Sequence, residues 1–97
     1  MTDPLSWALD RYFDSWEIER AEKVVTSQGM IAATEYLAHL ASESWRGYLG
    51  DGGRYDTRGG KISIWPPGRS LSDEPLVITC VEFAKKRLMR LWQPQLL

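Results

Sequence analysis

Residues 54–65 read RYDTRGGKISIW. This stretch decides whether the chain is purely helical or mixed, because the segments on either side carry helical spacing. Lys61–Trp65 alternates polar and apolar, with Ile62 and Ile64 on one side, which is a strand pattern. Its nearest partner is Arg54–Asp56, across a turn at Thr57–Gly60. The Gly59-Gly60 pair supplies the positive φ that a tight hairpin requires. Pro66 and Pro67 then end the strand. A lone hairpin is marginal in water, so Ile62 and Ile64 must dock on neighbouring helices.

Working outward toward the C-terminus, Ser72 has the chemistry of an N-cap. Asp73 and Glu74 suit the positive end of a helix dipole, and Leu71 and Leu76 stand at staple positions around that cap. Val77, Cys80, Val81, Ala84, Leu88, Leu91 and Trp92 form one helical stripe. Lys85, Lys86, Arg87 and Arg90 favour the helix C-terminus, and Pro94 stops it. The spacing predicts a core helix from Ser72 to just before Pro94.

Upstream, Ser27, Gln28 and Gly29 mark a turn. Met30, Ala33, Leu37, Leu40, Ala41, Ser44 and Tyr48 then line a helical face, which should end near Gly47 or Gly50. In the first segment Thr2 is available as a cap, and Pro4 fits the first turn. Leu5, Leu9, Tyr12, Phe13 and Trp16 share one face. Ile18, Ala21 and Val25 share a second stripe with Trp7. With no glycine or proline between residues 5 and 28, one long helix buried on two sides is expected. The alternative is a break near Asp14-Ser15, with Ser15 capping a second helix. The expected fold is α+β and predominantly α. It is a small bundle of three helices, or four if the first segment breaks, with a short two-stranded hairpin between the second and last.

Ninety-seven residues with ordinary apolar and charged fractions make a single globular domain, residues 1–97. The one cysteine excludes an internal disulfide and suits a reducing compartment. The N-terminus has no basic stretch followed by an apolar run, and no apolar run approaches a membrane span. A cytoplasmic setting is expected. Residues 1–44 hold eight acids against three bases, whereas residues 45–97 hold nine bases against five acids. The basic half then either meets an anionic partner or is matched by the acidic half within the fold.

No catalytic or metal pattern stands out. His39, between Glu35 and Glu43 on a helix, reads as an exposed histidine. Cys80, on an apolar stripe, reads as a small core hydrophobe, although a Cys80–His39 couple is compatible with the sequence. Asp51 and Asp56 lack the further acids and closing glutamate of an EF-hand loop. Gly60-Lys61 opens a strand rather than the helix of a phosphate loop. Residues 21–48 lack a central turn, which argues against a helix-turn-helix. No cofactor is expected.

Two binding classes remain. The first is a small non-enzymatic regulatory or inhibitory protein that binds another protein, with a homodimer as a further option. It would use Arg54, Tyr55, Arg58, Lys61, Trp65 and Arg69, with Trp7, Tyr36, Phe83 and Met89 as aromatics and apolar groups off the core stripes. In size alone it resembles small accessory proteins of bacteria and phages. The alternative is a nucleic-acid-binding regulator, using the basic loop 46–69 with Arg46, and the basic helix end Lys85, Lys86, Arg87 and Arg90. An overall pI near 5.8 weighs against this alternative. A small enzyme assembled only in the fold is a third class.

Overall fold

The structure is a computed structural model that describes residues 3–43, 53–70 and 72–90. Four helices and a three-stranded antiparallel sheet follow one another as α1 (Pro4–Arg11), α2 (Ser15–Gln28), α3 (Met30–Glu43), β1 (Arg54–Arg58), β2 (Lys61–Trp65), β3 (Leu76–Thr79) and α4 (Cys80–Met89). The mainly helical α+β class and the place of the hairpin agree with the sequence.

The first segment is two helices rather than one. Asp3, not Thr2, caps α1, its carboxylate accepting from the Ser6 amide at 3.0 Å. The chain turns at Tyr12-Phe13, and Asp14, not Ser15, is the cap of α2. Glu17 secures that start by accepting from the Asp14 amide at 2.8 Å, the reciprocal half of a capping box. The turn brings Tyr12 and Phe13 into the core and carries Trp16 out of it, leaving Trp16 53% exposed. Gly29, at φ 98°, ends α2, and α3 begins one residue later. Ala21, Ala33 and Ala41 are fully buried where α2, α3 and α4 pack together, and such small side chains let helix backbones approach closely. Met30 lies at the surface instead of on the expected core face. The expected end of α3 near Gly47 or Gly50 falls outside the described residues.

β1 and β2 pair from Arg54↔Trp65 to Arg58↔Lys61, so the turn is Gly59-Gly60 alone. Both glycines have positive φ, 56° and 75°, as a two-residue type I′ turn demands. Ile62 and Ile64 are fully buried, as the alternation predicts.

The last helix begins seven residues later than expected, with Thr79 rather than Ser72 at its cap. Ser70, Ser72 and Asp73 do use their capping chemistry, but to close a turn. The Asp73 carboxylate accepts from the Ser70 amide at 2.8 Å, and the Asp73 amide donates to the Ser70 carbonyl at 3.0 Å. Pro75 disfavours helical geometry at Glu74. The run Leu76-Val77-Ile78-Thr79 then extends and pairs with β2, from Lys61↔Thr79 to Ile64↔Leu76. Thr79 is the actual cap of α4, accepting from the Glu82 amide at 3.1 Å. Val77 and Val81, expected in the core, are 53% and 58% exposed.

The core is built around aromatic rings. The Tyr12 ring lies edge-on to Phe13, Tyr55 and Phe83, with centroids 5.1, 4.7 and 5.1 Å away, and Trp7 sits 5.5 Å from Tyr55. Edge-to-face pairs of this kind add to the burial of the rings themselves. Trp7 and Phe83, expected off the core stripes, are therefore central to it. The Tyr12 hydroxyl donates to the Ala41 carbonyl at 3.2 Å and receives the Thr57 hydroxyl at 3.1 Å, joining α1, α3 and β1.

Candidate functional site on the solvent face of the sheet

Residues directly opposite each other in an antiparallel sheet share a face, and successive residues alternate. The register therefore sorts the candidate residues into two sets. Tyr55, Thr57, Ile62, Ile64, Leu76 and Ile78 face the helices. Arg54, Asp56, Arg58, Lys61, Ser63, Trp65, Val77 and Thr79 face solvent. Four of the six residues expected to bind a partner, Arg54, Arg58, Lys61 and Trp65, thus share one surface. Tyr55 does not, because the alternation turns its ring inward, where it is 1% exposed between Trp7 and Tyr12.

On this face Arg54 stands opposite Trp65, and Arg58 opposite Lys61. Arg58 also lies 3.3 Å from the Asp56 carboxylate, a contact between exposed groups that screening weakens. Three cations thus share the face with one carboxylate. The Arg58–Lys61 pair sits beside the turn, and like charges directly opposite destabilise a hairpin. An anion bound there would relieve that repulsion. The Trp65 indole N–H donates to the Asp73 carbonyl at 3.0 Å, which ties the end of β2 to the loop before β3.

Arg69 lies beyond the end of β2, in the loop after Pro66 and Pro67. It lines a cleft of about 690 Å³ with Pro4, Pro66, Asp73, Glu74 and Leu76. Two carboxylates line that cleft with it, and Arg69 lies off the strands that carry the sheet-face cluster. Tyr36 is half-buried against the core, and Met89 is 36% exposed on α4.

The second basic cluster is placed quite differently. Arg90 donates to the Asp10 carboxylate. Arg87 lines a cleft of about 370 Å³ with Asp10, Phe13, Glu19 and Glu22. Burial, and then the neighbouring Arg90, push the Arg87 guanidinium below its ordinary pKa, while Asp10 and Glu22 act in the opposite sense. Two of the four cations at the end of α4, Arg87 and the capping Arg90, thus lie against acids of α1 and α2. This accounts for part of the charge asymmetry by attraction between the two halves of the chain. Lys85 and Lys86 are exposed. Arg46 and Asp51 lie outside the described residues.

Cys80 and His39 border one shallow cleft of about 330 Å³, together with Glu35, Ala38, Ser42, Gly60 and Val81. The imidazole Nε2 lies 3.5 Å from the Glu43 carboxylate, and both side chains are well exposed. The Cys80 thiol is buried, and burial raises its pKa, which disfavours the thiolate that nucleophilic chemistry requires. Among the described residues no three His, Cys, Asp or Glu side chains gather closely enough to hold a metal ion. No helix among them is long and apolar enough to cross a membrane.

β3 was missed by the sequence reading, and with it the solvent-facing Val77 and Thr79. The signal was the run Leu76-Val77-Ile78-Thr79 directly after Pro75, in which the last three side chains are β-branched and favour strands. Comparison with known proteins finds no family model, no curated protein and no solved structure that matches this chain.

Proposed function

We propose that this chain is a small non-enzymatic binding protein, acting as a regulator or inhibitor in the cytoplasm, that engages an acidic surface of another protein through the solvent face of its sheet. The observation that carries this reading is the gathering of Arg54, Arg58, Lys61 and Trp65 on that face by the strand register. Arginine and tryptophan are residues that dominate interface energies, and an indole already held by a hydrogen bond to Asp73 loses less freedom on binding. The buried, pKa-raised thiol of Cys80 supports a non-enzymatic role.

The test is affinity capture from the native cell with mass spectrometry, comparing wild type with the triple variant R54E/R58E/K61E. The expected result is a protein retained by wild type, released as salt rises and lost from the variant. Equal capture by both proteins refutes the reading. The alternative, a nucleic-acid partner, draws on Trp65 beside Arg54, because bases stack on indole while cations hold phosphates. It predicts salt-dependent binding of single-stranded oligonucleotides that the same triple variant abolishes. The engagement of Arg87 and Arg90 with acids favours the protein reading.

A further inference from the structure

We propose that β3 is a self-pairing edge, on which a second copy of this chain adds its own β3 antiparallel to make a six-stranded sheet. β3 is an outer strand in the order β1-β2-β3, and among the described residues no segment pairs with its far side. A free edge presents unpaired N–H and C=O groups, and proteins ordinarily blunt such edges with charges or proline. The opposite edge follows that rule, since β1 carries Arg54, Asp56 and Arg58. β3, Leu-Val-Ile-Thr, carries no charge, no proline and no glycine.

The occupant follows from side chains and charge. A two-fold axis through Val77 keeps the solvent faces of both copies on one side. It sets Val77 beside Val77 of the second copy on that face, and Leu76 beside Ile78 of the second copy on the helix-packed face. Every such pair is apolar. Leu76 and Val77, now 37% and 53% exposed, would gain cover. No like charges are brought opposite one another. Lys61 on β2 of each copy would be three strand spacings apart across the sheet, about 14 Å, and four residues apart along it, well beyond a Debye length of about 8 Å at physiological ionic strength. The dimer would join the two basic faces into one surface with twice the cations. It stands independently of the partner reading, because R54E/R58E/K61E leaves β3 unaltered.

The experiment is sedimentation and light scattering of the full chain over a dilution series from about 5 to about 500 µM, a wide range because short interfaces are weak. Wild type should move from 11.1 kDa toward twice that mass. V77K and V77E should each stay monomeric with unchanged circular dichroism, since Val77 faces solvent. An equimolar mixture of the two should associate again, because the register places residue 77 of one copy against residue 77 of the other. As a measurement free of substitution, amide exchange at residues 76–79 of wild type should slow as concentration rises. A wild type that stays at the monomer mass throughout overturns the proposal. So do single variants that associate like wild type, or a mixture that does not associate.

Discussion

Replacing Tyr12 by Phe removes one oxygen atom from the centre of the core and leaves the ring packing in place. The hydroxyl is buried with its ring and bonds to the Ala41 carbonyl and the Thr57 hydroxyl. Each hydrogen bond contributes about 0.5–1.5 kcal/mol net, and a buried partner left unpaired costs about 1–3 kcal/mol. At 3.2 and 3.1 Å both bonds are longer than the roughly 2.7–2.8 Å usual for O–H···O, which places them in the lower half of that range. Thr57 is only half-buried, so water can replace its partner, whereas the Ala41 carbonyl lies among fully buried side chains. The expected loss is about 1.5–2 kcal/mol. For a domain of this size that lowers Tm by about 6–15 °C. Urea unfolding followed by tryptophan fluorescence should show a lower midpoint with an unchanged m-value. A double-mutant cycle with Thr57→Val should return a coupling of about 0.5–1 kcal/mol. If Tyr12→Phe lies within about 0.3 kcal/mol of wild type, and the cycle shows no coupling, the hydroxyl does not join the three elements as described.

Two further outcomes test other parts of the fold. A Cβ added at Gly53 falls inside the six-membered ring edge of Trp7, so Gly53→Ala should destabilise the protein by about 1–3 kcal/mol in the same urea assay, and Gly53→Ala with Trp7→Phe should cost less than the two changes summed. The raised pKa of the Cys80 thiol means that the folded state holds its proton at a pH where the unfolded chain has released it. Stability from this residue is therefore complete below the ordinary thiol pKa of about 8.5 and is lost as pH rises beyond it, so urea midpoints of wild type should fall over that range more steeply than those of Cys80→Ala.

The parts of the fold that could be read from the sequence were those with a single dominant local cause. Ile62 and Ile64 alternate with polar residues and follow a Gly-Gly pair, so the hairpin and its buried side were evident. Gly29 marked the turn between α2 and α3 for the same reason. The errors came where two local preferences competed and tertiary contact chose. Ser72, Asp73 and Glu74 fit a helix start, but Pro75 and a strand partner in β2 drew the next four residues into the sheet. Tyr12, Phe13 and Trp16 fit one helical face. A break at Asp14 buries the first two more fully and gives up the third. The candidate site was legible as a set of residue types, but the sorting of Tyr55 from its neighbours needed the register. Attraction between the acidic and basic halves was one of the two expectations, but distances between elements far apart in the chain, such as Arg90 to Asp10, have no local signature, so which cations would meet acids was not legible.

The ring of Tyr12 has a consequence for the order in which the chain acquires its structure. Its neighbours are Ala41, Tyr55, Thr57 and Phe83, so the contacts that make the core coherent span about 70 residues. During synthesis, α1 emerges first and must wait for α4. At about 5–20 residues per second that interval is about 4–14 s. Among the described residues, the extensive packing of α2 on α3, joined by one glycine, needs nothing from α4 and forms early. Tyr55 can cover Trp7 and part of Tyr12 before then, but until Phe83 arrives Tyr12 and Phe13 lack part of their aromatic cover, which makes this segment a natural site for a chaperone.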